Sequence, residues 1–100
     1  MTRDEILDMA KDIINGDRQS LYGNALERHS DIAIIWGSII GFPIAPFQVG
    51  LMMAGLKMAR AAHNPTHEDS WIDACGYLAL AAEMATQDRP TVRPTKGGNE

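Results

Sequence analysis

The sequence LKMARAAHNPTHEDSWIDACGYLALAAE, residues 56–83, decides the fold, because it has the pattern of two helices joined by a very short turn. Pro65 ends the first of these helices, and Thr66, with Asp69 three positions later, is predicted to cap the second. Helices joined by so few residues are antiparallel neighbours. We therefore predict a helical hairpin whose polar side chains lie within reach of one another.

The remainder of the chain also has helical periodicity, which gives four predicted helices. A capping box of Thr2 and Glu5 begins the first helix, and an N-x-x-E pattern at Asn24 begins the second. The β-branched segment 32–40 could also form a buried strand, but the chain offers no partner strand, so a helix is favoured. The predicted helices are Arg3–Ile14, the segment from Asn24 to about Ile40, the segment from Pro46 to about Ala62, and the segment from Thr66 to about Ala85.

Length and composition predict a single all-α domain, a small four-helix bundle-like fold. The chain has 100 residues, of which 45% are hydrophobic, and this suits one compact core. We assign residues 1–86 to the helical domain and predict a disordered C-terminal tail at 87–100. That tail contains two prolines, two glycines and one large apolar residue, so burial cannot offset the entropy of ordering it.

The third helix is predicted to lie at the centre of the bundle because it is apolar nearly all round. Its methionines, Met52, Met53 and Met58, are interpreted as core filling, with a ligand groove as the alternative. The fourth helix has a run of small residues that permits close approach of another helix, from this subunit or a second copy. We therefore expect a homo-oligomer. The small residues are Gly76, Ala79, Ala81 and Ala82.

Charge and cysteine content exclude several classes of protein. The formal net charge is −4 and the nine Lys and Arg residues are scattered, so duplex nucleic acid is not an expected partner. No apolar run reaches the roughly 18 residues that span a bilayer, and the charged segment 1–12 is unlike a secretory signal. The single Cys75 excludes an internal disulfide. These features predict a cytoplasmic protein without membrane contact.

A basic cluster on the third helix is the first candidate binding feature. Lys57, Arg60 and Asn64 share one helix face, and His63 lies beside them, with His67 across the turn. One interpretation is that the stems of the cations cover core surface while their charges pair with acids. The other is a phosphate clamp, in which Arg60 supplies a bidentate fork and Lys57 a point charge.

An acidic row on the fourth helix is the second candidate feature. Asp69, Asp73 and Tyr77 recur every four residues, and like charges at this spacing repel each other. An interhelical salt-bridge network with Lys57 and Arg60 would offset the repulsion. The alternative is Mg²⁺ held by Asp69 and Asp73 together with the phosphates of a nucleotide.

The same residues resemble a family of small proteins encoded by tailed phages and prophages. The resemblance covers about residues 17–83, and its most specific part is K-x-x-R-x-x-H-N-P-x-H-x-D-S-W-x-D-x-x-G-Y, residues 57–77. It implies an accessory role in the cytoplasm of an infected bacterium.

The fourth helix is also distantly similar to the MazG-like all-α nucleoside triphosphate pyrophosphohydrolases. Members of that group hold Mg²⁺ with E-E-x-x-E on one helix and E-x-x-D on the next. Here Ser70 and Asp73 occupy the second spacing, but Leu56, Lys57 and Arg60 stand where the first set of acids would be. The resemblance therefore implies nucleotide binding more strongly than hydrolysis.

Taken together, the sequence predicts a protein that binds a nucleotide or other phosphorylated ligand between its two C-terminal helices, possible examples being host signalling nucleotides. The expected ligand-binding residues are Lys57, Arg60, His63, Asn64, His67, Asp69, Asp73 and Tyr77. A Mg²⁺-dependent pyrophosphohydrolase, using Asp69, Asp73 and either Glu68 or Glu83, is one alternative. A module that binds a host protein is the other.

Overall fold

The structure, a computed structural model, describes residues 1–15 and 22–87, and the side chains of 1–15 and 25–87. It contains four helices: α1 (Arg3–Asn15), α2 (Tyr22–Ile40), α3 (Pro46–His63) and α4 (Glu68–Gln87). Residues 1–15 and 22–87 include no strand, so the predicted all-α fold is confirmed. The predicted tail begins one residue too early, because Gln87 still belongs to α4, and residues 88–100 lie outside the described part.

Two predicted helix starts are wrong. Helix α2 begins at Tyr22 and not at Asn24, so the N-x-x-E pattern lies inside the helix. Helix α4 begins at Glu68, two residues after the predicted start at Thr66. Thr66 belongs to the turn, where its hydroxyl donates to the Oδ1 of Asn64 at 3.4 Å. The turn is instead held by the indole of Trp71, whose Nε1–H donates to the carbonyl of Pro65 at 2.9 Å.

The starts of α1 and α3 follow from local hydrogen bonds. In α1 the capping box is confirmed, because the Thr2 N–H donates to Glu5 Oε1 at 2.8 Å and the Glu5 N–H donates to Thr2 Oγ1 at 3.1 Å. In α3, Pro46 occupies the first position, as predicted. The side chain of Gln48 reaches back to accept the N–H of Ala45 at 2.8 Å. At the starts of α1 and α3, side chains therefore satisfy some of the backbone N–H groups that would otherwise be unpaired.

Helices α3 and α4 form the predicted hairpin, which is the main body of the molecule. Helix α1 packs on α4, and α2 packs on α3. The helices approach closely where glycine faces alanine: a Cβ built on Gly50 would lie 3.0 Å from the Cβ of Ala81 and 3.5 Å from the carbonyl oxygen of Tyr77. A Cβ on Gly76 would lie 3.4 Å from Ile14 of α1. Gly76 and Ala81, two of the small residues predicted to pack against another helix, therefore pack against helices of the same subunit.

The core consists mostly of small side chains. Met84 and Val49 are its largest fully buried members. The remaining members of the apolar core are Ile72 and the alanines Ala10, Ala33, Ala54, Ala61, Ala74 and Ala81. Since alanine methyl groups occupy little space, the helices are held by close backbone approach, and many large apolar side chains remain on the outside.

Helix α3 contacts both α4 and α2, in keeping with its predicted central position, but the core-filling interpretation is wrong for two of its three methionines. The inner face of α3 is formed by Val49, Gly50, Ala54 and Ala61. Met52 and Met58 lie away from that face and are 44% and 57% exposed. The small residues of α3, and not these two methionines, form its buried face, and Gly50 among them lies against Ala81 of α4. None of the helices in the described ranges has the length and hydropathy needed to cross a bilayer.

A polar cleft at the turn between the two C-terminal helices

The basic and acidic features predicted on the hairpin meet at one point. The ammonium of Lys57 lies 3.1 Å from Oδ2 of Asp73, across the interface between α3 and α4. The two side chains are 17% and 34% exposed, so the pair is largely shielded from solvent. A shielded pair with this short distance is stronger than a surface ion pair, because water screens it less. For these two residues the structure shows the interhelical salt bridge that the sequence offered as one of two interpretations.

Arg60 lies one turn further along α3 and has a different environment. Its side chain is exposed, and no carboxylate within the described ranges pairs with it. It lines an open cleft of about 490 Å³ at the turn that joins α3 to α4. We call this the junction cleft, and its lining residues are Leu56, Ala59, Arg60, His63, Asn64, His67 and Ser70.

The junction cleft has the donor chemistry of an anion site. Arginine offers five N–H donors in a planar fork that matches phosphate, and the imidazole, amide and hydroxyl groups add further donors. No aspartate or glutamate is among its lining residues. His67 lies immediately before α4 and Ser70 lies in its first turn, which places the positive end of that helix dipole at the cleft. The side chains that line the cleft are therefore all neutral or positive, while the acidic residues of the first turn of α4, Glu68 and Asp69, are not among them.

The predicted site residues of α4 lie elsewhere. Asp73 and Tyr77 line a second cavity of about 380 Å³ between α1 and α4. The other residues of this cavity are Ile13, Ile14, Ile72, Gly76 and Leu80, so its wall is mainly apolar. Asp69 is exposed and lines neither cavity. The eight predicted residues thus fall into three places: four at the junction cleft, Asp73 and Tyr77 at the second cavity with Lys57 paired to Asp73, and Asp69 on the surface.

The alternative interpretation of the acidic row was Mg²⁺ held by Asp69 and Asp73 together with the phosphates of a nucleotide. Within residues 1–15 and 25–87, no group of three or more His, Cys, Asp or Glu side chains is arranged to hold a metal ion. The carboxylate of Asp73 is already engaged by Lys57, and neither aspartate lines the junction cleft. A cage of protein carboxylates does not fit these residues, so any Mg²⁺ here would have to arrive with the phosphates of a ligand.

His29 is a buried, hydrogen-bonded histidine of the core. It is 7% exposed, and its Nδ1–H donates to the carbonyl of Ala25 at 2.7 Å. Its ring lies 6.5 Å from the ring of Tyr77, at an interplanar angle of 52°, which links α2 to α4. Its Nε2 is buried without a hydrogen-bond partner in the described part, which a neutral ring bonded through Nδ1 tolerates better than a charged one.

Sequence reasoning missed the three other residues of the junction cleft. Ser70 is 3% exposed yet contributes to the cleft lining, while Leu56 and Ala59 form its apolar wall. The signal was present, because Ser70 follows His67 by three positions and Leu56 precedes Arg60 by four, so each lies on the same helix face as a predicted residue. The prediction followed the row of Asp69, Asp73 and Tyr77, which lies on a different face of α4 from Ser70.

The fold and the cleft define a class of small all-α proteins in which a helical hairpin carries a polar, cationic cleft at its turn. Comparison with known proteins is consistent with the phage resemblance. The chain belongs to the family described as Domain of unknown function (DUF6378), whose model matches residues 5–85.

Two proteins of mycobacteriophages, both called Gene 55 protein, are similar to the chain. The one from phage L5 is 41% identical over 80 residues, which is 79% of this chain and 51% of that protein. The one from phage D29 is 32% identical over 81 residues, which is 81% of this chain and 54% of that protein. The chain therefore spans about half the length of the curated relatives it matches. No solved structure matches the chain.

Proposed function

We propose that this protein binds a phosphorylated small molecule, such as a nucleotide, in the junction cleft. The observation that carries the proposal is the position of Arg60, a side chain without an acidic partner in the described ranges, in a cleft lined by donors and by no carboxylate. Arginines on protein surfaces are usually solvated or paired with acids, whereas this one lies beside two histidines and a helix N-terminus.

The proposed arrangement assigns a role to each polar group. The guanidinium of Arg60 binds two phosphate oxygens, and His63 with His67 contributes ring N–H donors from either side of the turn. Asn64 can accept from, or donate to, a sugar or base. The apolar wall of Leu56 and Ala59 suits the face of a base or another apolar part of the ligand. In this proposal Lys57 acts indirectly, because its pairing with Asp73 fixes the hairpin on which the cleft is built.

Calorimetric titration of the full chain tests the proposal. The probes are ATP, GTP, cyclic AMP, pyrophosphate and inorganic phosphate, each with and without Mg²⁺. We expect at least one nucleotide to bind, and we expect Arg60→Ala to weaken that binding by about 10-fold to 100-fold, because charge-assisted hydrogen bonds to phosphate are lost. Arg28→Ala removes an exposed arginine of α2 and is the matched control, expected to bind as the wild type does. Equal loss in both variants, or no binding of any probe, would refute the proposal.

The pyrophosphohydrolase alternative is addressed by the same samples. Release of pyrophosphate from a nucleoside triphosphate in the presence of Mg²⁺ would indicate an enzyme, and loss of that release in Asp69→Asn would assign the metal to the acidic row. The engagement of Asp73 by Lys57 favours binding without hydrolysis, since a paired carboxylate is less available as a metal ligand. We therefore expect bound nucleotide to be recovered intact.

A further inference from the structure

The second half of α2, together with Phe42 just after the helix, carries an exposed apolar surface that the described part of one subunit leaves uncovered. We call it the α2 ridge. Its five members are between 57% and 77% exposed, and they are Ile34, Ile35, Ile39, Ile40 and Phe42. Five large side chains in one short segment amount to roughly 500 Å² of apolar surface, near the upper end of the largest patches found on monomeric proteins. A surface of this kind is expected to be covered by another molecule.

The α2 ridge lies in a part of the chain without any charge. From Ile32 to Leu56 there is no Asp, Glu, Lys, Arg or His, although the chain as a whole has 22% charged residues and a net charge of −4. Two negatively charged copies that meet through charged surfaces would repel each other. The ridges of two copies can contact each other without bringing like charges together. A membrane surface is disfavoured as the occupant, because residues 32–56 contain no cationic side chain to attract acidic lipids and the net charge of the chain is negative.

We propose that the α2 ridge is the interface of a symmetric dimer, with α2 of one subunit packed antiparallel on α2 of a second copy. Ile35 and Ile39 are separated by one helical turn. In a twofold arrangement, Ile35 of each copy can therefore pack against Ile39 of the other copy. Ser38 lies between them and is small enough to permit close approach. Its hydroxyl already donates to the carbonyl of Ile34 at 2.9 Å, so it can be buried without losing a partner.

The size of the ridge fits this assignment. A standard stable interface buries roughly 800 Å² on each partner, with an apolar core and a more polar rim. The ridge supplies most of such a core. Asp31 and Arg28, both exposed on the preceding turns of α2, lie at the edge of this surface and add polar groups to its rim. The interface does not involve the junction cleft, so the dimer and the proposed ligand site are independent.

Sedimentation velocity over a series of concentrations tests the proposed dimer. We expect the wild-type chain to sediment at twice its mass of 10.9 kDa and Ile39→Asp to raise the dimer dissociation constant by about 100-fold or more, because a buried apolar contact is replaced by an unpaired charge in each subunit. Leu7→Asp, which changes a similarly exposed residue of α1 (58%), is the control and is expected to remain dimeric. Circular dichroism establishes that both variants are folded. A monomeric wild type, including one that binds neutral or acidic lipid vesicles or a host protein, would overturn the proposal.

Crosslinking provides a second readout that does not depend on a disruptive substitution. In a Cys75→Ser background, Ser38→Cys is expected to form an intermolecular disulfide on mild oxidation, since a disulfide requires two Cα atoms within about 7 Å of each other. Glu27→Cys, on the exposed face of the same helix but outside the ridge, is expected to remain reduced. Crosslinking at position 27 without crosslinking at position 38, or a dimer that persists in Ile39→Asp, would place the interface elsewhere and overturn the assignment.

Discussion

Gly50 illustrates how a single residue determines the spacing of the hairpin. Its missing side chain lets α3 approach α4 until a Cβ at this position would lie 3.0 Å from that of Ala81, which is tighter than nine in ten real Cβ contacts. Gly55, on the same helix, has nothing within 4 Å of the corresponding point. We expect Gly50→Val to lower the free energy of unfolding by about 1–3 kcal/mol through overpacking. Gly55→Val is the matched control, expected to be neutral or slightly stabilising. Chemical denaturation measures both, and equal effects would mean that Gly50 does not set the spacing.

The pair of Lys57 and Asp73 is the other residue-scale feature with a direct test. We expect Lys57→Met and Asp73→Asn each to lower stability, because each leaves a partly buried charge without its partner. The double variant should be less destabilised than the sum, with a coupling energy of about 0.5–2 kcal/mol. Denaturation of the four proteins gives the coupling directly. A coupling near zero would show that the 3.1 Å contact contributes nothing to the hairpin.

At the scale of the elements, the start of α3 depends on one side chain outside the core. Gln48 accepts the N–H of Ala45, and no other side chain in the described part caps this helix. Gln48→Ala should therefore lower the free energy of unfolding by about 1 kcal/mol, the typical value of a lost cap. Gln87→Ala, at the last residue of α4, removes only an exposed side-chain contact to Glu83 and should change stability by a few tenths of that. Thermal unfolding of both variants measures the two effects. Equal shifts of the two unfolding midpoints would contradict this assignment.

The elements also show how far sequence reasoning reaches. The number of helices, the antiparallel hairpin, the capping box of α1 and the position of Pro46 were predicted, because each depends on local periodicity or on one backbone group. The start of α4 was not predicted. Thr66 has the right chemistry for a cap, but the turn of Asn64 to His67 and the bond from Trp71 to Pro65 shift the helix by two residues. This competition between neighbouring hydrogen bonds is invisible in a pattern of residue types.

For the site, the residues named from the sequence remain a prediction, and their distribution over different parts of the molecule was not predicted. Two cations on one helix face were expected to act together, and they have different environments: Lys57 is paired in the interior and Arg60 lines the junction cleft. The difference depends on the rotation of α3 relative to α4, which the contact of Gly50 with Ala81 fixes. Helix periodicity gives the face on which a residue lies, but it does not give the partner that the face meets. The same reason explains why the methionines of α3 were placed in the core.

At the scale of the whole molecule, the proposed dimer predicts that stability depends on concentration. Folding linked to association gains free energy as the protein concentration increases, so the unfolding midpoint should rise. For the wild type we expect a midpoint that increases measurably over a hundredfold concentration range, and for Ile39→Asp a midpoint that does not change. Scanning calorimetry at several concentrations makes this comparison. A constant wild-type midpoint would contradict coupling between folding and association.

The alanine-lined contact between α3 and α4 also constrains how such a protein can diverge. Where two helices touch through methyl groups and bare backbone, an enlargement on one helix is tolerated only if the facing residue shrinks at the same time. Single changes at positions such as 50, 54 and 81 should therefore be eliminated by selection, while compensating pairs survive. The outer faces of the helices carry no such restriction, so substitutions among descendants should accumulate there. The geometry of the hairpin should change little.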